Sequence, residues 1–175
     1  MATTARSQRS DPFFTNRFSL SFDSGPFKGT TVASFQSVSM PEQSIEAIEY
    51  SEGIYSYSRF YPGRSTFSTV SCHKGLVKGD QTLAKWIRRT SEGWNYRGNM
   101  YINQYRREDV SGLRSYSNAS PSRRIYLVNC FPVRFKPGSD FDAMSVDISV
   151  QEIEFQVERF VVLEMSGSSM KEVAP

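Results

Sequence analysis

The run from Met144 to Phe160, MSVDISVQEIEFQVERF, leaves this chain few folds to adopt. Val146, Ile148 and Val150 alternate with Asp147 and Ser149, which puts apolar side chains on one face of a strand. The phase then slips. Ile153, Phe155 and Val157 carry the apolar face, set against Glu152, Glu154, Gln156 and Glu158. Gln151 and Glu152 stand together where the period allows one polar residue. A β-bulge there would absorb the slip, bend the strand and increase its twist. A long two-faced strand of this kind suits a curved antiparallel sheet or an open barrel. Ile148, Val150, Ile153 and Phe155 are the expected core positions, and the opposite face is strongly acidic.

The rest of the chain repeats the β theme. Residues 1–12 are rich in Ser, Thr and Arg and lack an apolar anchor, so a flexible arm is expected. Arg17–Phe22 alternates Phe18, Leu20 and Phe22 with polar partners, and Thr30–Val38 is a second β-prone run. The turn residues DSGPFKG between them predict a hairpin. Ile45–Tyr50 fits a third strand, although its Ile45/Ile48 spacing also fits a helical turn. Residues 51–65, closed by Pro62-Gly63, read as a loop longer than a hairpin needs. Tyr50, Tyr55, Tyr57, Phe60 and Tyr61 lie in or beside it, and tyrosines are enriched where interfaces are buried. Thr66–Lys74 is a further strand.

Asp80–Arg89 is the one persuasive helix. Asp80 is a suitable N-cap, and Leu83, Trp86 and Ile87 form an apolar stripe. Arg88 and Arg89 suit the negative end of the helix dipole. Gly98–Arg106 and Ile125–Phe135 read as strands. Pro132 in the second points to an edge, a bulge or a strand end. The intervening stretch, about 90–124 at its widest, contains a polar loop or insertion. The Ser- and Gly-rich tail, 164–175, is expected to fray. One domain over 13–163 is the natural reading of 175 residues, with a 14% aromatic content that favours β structure.

Several function classes lose support here. His73 is the only histidine, and Cys72 and Cys130 are the only cysteines. Neighbours on a strand face opposite ways, so Cys72 and His73 cannot act as a dyad. Phosphate-cradling glycine loops and zinc-protease or nucleophile-elbow motifs are missing. No catalytic, cofactor-binding or metal-ligating set is expected, nor an enzyme. No apolar run approaches the roughly 18–20 residues that a membrane-spanning helix needs. The net charge of +3 is spread over arginine doublets, with no dense basic face for nucleic acid.

In order, these pieces resemble the tail-tube protein family of contractile-tailed phages and phage-tail-like contractile injection particles. Arg17–Phe22 looks like the family's first strand. Phe35–Met40 followed by Glu46–Gly53, EAIEYSEG, is similar to its "IEYREG" segment, and Pro62-Gly63 to the "PG" beyond it. Val70–Ile87, with Lys74-Gly75, Asp80, Leu83 and Trp86-Ile87, resembles a "LKRG…(T/D)xLxxWI" strand-to-helix motif. Asn129–Pro132, NCFP, looks like "NAFP", and Asp142–Ile153 like "DATGNDIAVQEI". The resemblance covers residues 13–162. The stretch 90–124 and the N-terminal arm are longer than the family usually carries.

The resemblance implies a mainly β subunit, two packed antiparallel sheets forming a barrel-like body with one flanking helix. It implies homo-hexameric rings stacked into a hollow tube, assembled in the cytoplasm, with DNA or an effector as cargo in the lumen. A sheath, a baseplate or spike and a tail terminator are the implied partners, with no membrane anchoring. Tyr50, Glu52, Gly53, Tyr55, Tyr57, Phe60, Tyr61 and Pro62 become candidate contacts between subunits or rings. Glu152, Glu154, Gln156 and Glu158 become candidates for a lumen wall or ring surface, where acidic groups would repel phosphate. A tube-initiating, baseplate-proximal subunit fits the same motifs. A monomeric β-barrel that grips a ligand with its aromatic loop fits the residues as well.

Overall fold

A computed structural model describes residues 13–25, 28, 31–32, 35–54, 56–93, 96–106, 120–144, 146–166 and 169–172. The expected N-terminal arm (1–12), residues 107–119 of the expected insertion and Tyr55 lie outside them. In chain order the elements are β1 (Phe18–Phe22), β2 (Thr31–Val32), β3 (Phe35–Val38), β4 (Gln43–Tyr50), β5 (Arg59–Phe67) and β6 (Val70–Gly75). Then come α1 (Thr82–Ser91), β7 (Gly98–Gln104), β8 (Arg123–Lys136), β9 (Val150–Gln156), β10 (Arg159–Ser166) and β11 (Ser169–Glu172). The described residues are mainly β with one helix, as the alternating pattern predicts.

Two antiparallel layers share one long strand. The N-terminal half of β8 pairs with β7 and β10, and β1, β2 and β11 complete the first layer. The C-terminal half pairs with β9, followed by β6 and β3, in the second layer. The motif NCFP sits at the crossing. Asn129 has a φ of 52°, a left-handed conformation that asparagine tolerates better than most residues. Its N–H donates to the Asn99 side-chain oxygen at 2.9 Å. The pairing with β9 shifts between Pro132 and Arg134, so of the edge, bulge or strand end that Pro132 points to, the strand has the bulge.

The core fills the space between the layers. Leu20, Phe22, Val70, Cys72, Met100, Ile102, Leu127, Ile153, Phe155 and Val157 are all buried, and Leu83 and Trp86 of α1 close one side. Trp86 lies between Phe22, at 5.3 Å, and Phe155, at 4.9 Å, and donates its ring N–H to the Tyr96 carbonyl at 2.7 Å. A Cβ built at Gly98 would meet the Ser24 carbonyl oxygen at 2.8 Å and the Trp86 ring at 3.5 Å. Glycine there allows β7 to pass the β1 turn and the indole. Burial pushes the Cys72 and Cys130 thiols up to about 12, so both behave as small core groups.

Four expectations need correction. Ile148 is 80% exposed and Val150 is half-buried. The strand starts only at Val150, and Gln151, Ile153, Phe155 and Val157 point inward. With residues 146–149 outside the ladder there is no slip to absorb, and the bulge lies on β8 instead. The loop expected over 51–65 is largely strand: β5 covers Arg59–Phe67, with Pro62-Gly63 at a shift in register between Ile45 and Ala47 of β4. The tail expected to fray carries β11, paired with β10. The helix starts one residue late, with Gln81 at the N-cap, although an Asp80 oxygen still accepts the Thr82 N–H at 3.3 Å.

Asp80 has a second role. Lys74 is buried at the end of β6 and forms an ion pair and hydrogen bond with Asp80, tying strand to helix. That hydrogen bond is the main cause holding the Asp80 carboxyl below its usual range. A depressed carboxylate stabilises the fold above its unfolded value, and the contribution is lost as pH falls through the folded value. Wild-type protein should therefore exceed Asp80→Asn in stability by about 1–3 kcal/mol at neutral pH. The gap should begin to narrow below about pH 4, where the unfolded carboxyl becomes protonated, and narrow further as the folded carboxyl takes up its proton. Urea midpoints of both proteins at the two pH values check this. A gap as large at pH 3 as at neutral pH would remove the carboxylate's charge from the account.

Candidate assembly surface

The second layer extends beyond the body as an arm. β3 runs on into β4, and β5 runs on into β6, so one long hairpin passes through a junction at Ser39–Glu42 and Ser68. The junction is stitched by four hydrogen bonds. Ser39 N–H donates to the Ser71 carbonyl at 2.8 Å and Ser68 N–H to the Glu42 carbonyl at 3.0 Å. Ser71 N–H donates to Ser39 Oγ at 2.7 Å and Glu42 N–H to Ser68 Oγ at 2.9 Å. Phe67, edge-on to Phe160 at 5.9 Å, seats the base of the arm against β10.

Beyond this junction the arm stands in solvent. Every residue of β4 is exposed. Opposed residues share a face, so Ile48, Tyr50, Arg59 and Tyr61 lie on one side and Glu49, Phe60, Ala47 and Pro62 on the other. Tyr50 meets Tyr61 edge-on at 6.3 Å. A Cβ at Gly63 would come 3.1 Å from the Glu46 carbonyl oxygen and the Ile48 side chain, so glycine lets the two strands approach at the bulge. At the tip, Ser51 and Ser58 hydroxyls are 2.9 Å apart. Ile54 and Tyr57 are exposed, Gly53 is open to solvent and Glu52 is half-buried. Seven of the eight predicted contact residues thus belong to one arm, and Tyr55 is the eighth.

The acidic stripe is matched by cations. Arg134 on β8 reaches Glu154 at 2.6 Å and Glu152 at 3.3 Å. The hydrogen bond to Glu154 is the first cause raising the Arg134 pKa. Glu158 pairs with Arg97 at 3.5 Å and accepts from the Asn129 side-chain amide. Gln156 donates to the Val157 carbonyl. The charge pattern on β9 alone does not reveal this, because the partners come from β8 and from the residues before β7. A bare acidic wall is replaced by a paired one.

Two surfaces were not anticipated. Phe141, Met144, Val146 and Ile148 between β8 and β9 are nearly or fully exposed. On the first layer, Tyr101 stacks on Tyr126 at 4.5 Å and Arg124 covers Tyr101 at 5.5 Å. The Tyr126 hydroxyl donates to Asp23 at 3.2 Å, and burial followed by the Asp23 contact raises its pKa. Cys72 and His73 do face opposite sides of β6, one buried and one half-exposed. Among the described residues no group of His, Cys, Asp and Glu could hold a metal. Among the same residues no helix is long and apolar enough to cross a membrane.

Comparison with known proteins follows the geometry closely. A family model described as T4-like virus tail tube protein gp19 matches residues 14–161. A chain of the PVC sheath–tube complex, an extracellular contractile injection system in its extended state, is 26% identical. It covers 93% of this chain and 100% of its own, with a TM-score of 0.72. The tube-terminating cap of the anti-feeding prophage is 22% identical over 94% of this chain and 100% of its own, with a TM-score of 0.73. Hcp1 from Flavobacterium johnsoniae shares the fold at 13% identity, covering 90% and 99%, with a TM-score of 0.52. No curated protein matches the chain.

Proposed function

This chain belongs to the T4-like virus tail tube protein family, and from that premise we propose that it is the inner-tube subunit of a contractile tail or contractile injection particle. Six copies close into a ring in the cytoplasm, rings stack, and the stack is a hollow conduit for DNA or an effector. A sheath surrounds the tube and drives it through a target envelope, with a baseplate or spike at one end and a terminator at the other. The paired face of β9 and β8, where Glu152, Glu154 and Glu158 meet Arg134 and Arg97, is a fitting lumen wall. Its balanced charge gives passing cargo little to adhere to.

The arm carries this reading. An isolated two-stranded hairpin is marginal in water, and this one shows Ile48, Tyr50 and Tyr61 on one face and Phe60 on the other. Contiguous exposed apolar surface marks a contact site, and a neighbouring subunit or ring would cover both faces. Negative-stain electron microscopy with gel filtration tests the proposal. Six-fold rings or stacked tubes are expected, and a stable 19.9 kDa monomer at all concentrations would count against it.

A sharper test uses Ile48→Asp combined with Phe60→Asp. Both sites are exposed, so melting should shift by about 0.5 kcal/mol or less per site. Rings and tubes should disappear. If tubes of normal length still form, the arm lies outside the contact.

A further inference from the structure

The outward face of the second layer is four strands wide, and one side chain on it differs from its neighbours. Residues opposite one another in an antiparallel ladder share a face. Ser37 of β3 stands opposite His73 of β6, His73 opposite Glu152 of β9, and Glu152 opposite Lys136 of β8. Two residues along, Ser71 of β6 stands opposite Glu154, and Glu154 opposite Arg134. Cys72, Lys74, Ile153 and Phe155, on the other face of β6 and β9, are buried. His73 is half-exposed, and it is the only histidine in the chain.

The fixed charges around His73 are matched. Glu152 and Glu154 both meet Arg134, at 3.3 and 2.6 Å. Lys136 reaches Asp140 at 3.2 Å in the turn beyond β8. Glu158, just past β9, meets Arg97 at 3.5 Å. From β3 the residue facing His73 is Ser37, and along β6 its neighbours on this face are Ser71 and Gly75, none of them charged. Carboxylate, ammonium and guanidinium groups in general hold their charges between about pH 5.5 and 8. Imidazole is the side chain whose charge changes in that range. The one titrating group of that kind therefore stands in the middle of a paired face.

We infer that His73 makes this face a pH-dependent holding surface for an acidic polypeptide cargo. With neutral imidazole the pairs on the face cancel and passing cargo is held weakly. When the imidazole takes up a proton, each copy gains one positive charge. The imidazolium stands opposite Glu152 and competes with Arg134 for it, so cationic groups become available to carboxylates on the cargo. The sign follows: acid favours holding, and neutral pH favours release. The inference rests on the proposed tube, in which this face lines the conduit and the added charge recurs in every copy of every ring. A concave wall carrying one sign of charge focuses the field and concentrates counter-charged molecules. An acidic polypeptide suits the face better than nucleic acid does, because nucleic acid calls for a dense basic surface and here each added cation stands among carboxylates.

Peptide retention by assembled tubes tests it. The probe is a dye-labelled peptide of about ten aspartates, which stays anionic throughout the range used. Tubes are incubated with it at about pH 7.5 and about pH 5.5 in low salt, pelleted, and the bound dye measured per subunit. Wild-type tubes should retain about tenfold more peptide at the acid pH, and high salt should remove the difference. His73→Gln should assemble and lose the pH dependence. His73→Arg should retain peptide at both pH values. Equal retention by wild-type tubes at the two pH values, or a pH dependence unchanged in His73→Gln, would overturn the inference and leave the tube reading standing. Acid-dependent retention of a thymidine oligonucleotide but not of the peptide would overturn the polypeptide class. A wild-type protein that forms no tubes at either pH would overturn both readings.

Discussion

Ile153→Asp is expected to leave no cooperatively melting protein, whereas Ile148→Asp, in the same apolar run, should melt like the parent. Ile153 is 0% exposed. It pairs with Cys72 on one side and Phe135 on the other, in the middle of the second layer. The buried cation on that face, Lys74, is already paired with Asp80. A carboxylate placed there must stay charged in an apolar site or take up a proton, and either way loses its water, at a cost of several kcal/mol. The lost isoleucine packing adds about 2–5 kcal/mol. Together these consume most of the roughly 5–15 kcal/mol that holds a domain folded. Ile148→Asp puts the same group in solvent and should change stability by about 0.5 kcal/mol or less. Soluble yield and thermal unfolding followed by circular dichroism compare the two. A soluble, normally melting Ile153→Asp would mean that the phase of β9 is wrong.

The contrast between those two isoleucines shows what could be read from sequence. Period-2 alternation marks a residue as inward-facing but does not say into which chain it faces. Ile153 and Phe155 enter their own subunit's core, and Val146 and Ile148 carry the same pattern on a stretch that joins no ladder among the described residues. Pro62-Gly63 reads as a turn because those residues usually make one. Here they occupy a shift in register, where glycine accommodates the Glu46 carbonyl. β11 lacks an alternating apolar signal, since its place comes from pairing with β10. The matched charges on the acidic stripe come from strands distant in sequence, which periodicity cannot pair. The short motifs were legible as positions, and the fold supplies their roles. Lys74 and Asp80 clamp strand to helix, Trp86 anchors that helix, and Asn129–Pro132 turns β8 from one layer to the other.

Trp86→Ala should be the most damaging change on the helix, costing about 3–5 kcal/mol. The indole is 1% exposed and touches both layers, with Phe22 from β1 on one side and Phe155 from β9 on the other. Deleting it leaves a cavity where α1 meets the sheets and leaves the Tyr96 carbonyl without the ring N–H. In a chain of this length each kcal/mol moves Tm by about 2–4 °C, so a fall of roughly 6–20 °C is expected. Assembly would mask part of that loss, because whatever binds only the folded state raises its apparent stability. The measurement therefore belongs in the Ile48→Asp/Phe60→Asp background, where the subunit is monomeric. Trp86→Phe separates the two contributions: it keeps an aromatic ring between Phe22 and Phe155 but cannot donate to Tyr96. The hydrogen bond alone accounts for about 1–3 kcal/mol of the loss if Trp86→Phe falls short of wild type by that amount. If Trp86→Ala costs less than about 1 kcal/mol, α1 only covers the sheets and the core closes without it. The Lys74–Asp80 clamp and the buried Leu83 would then be what ties the helix to the sheets.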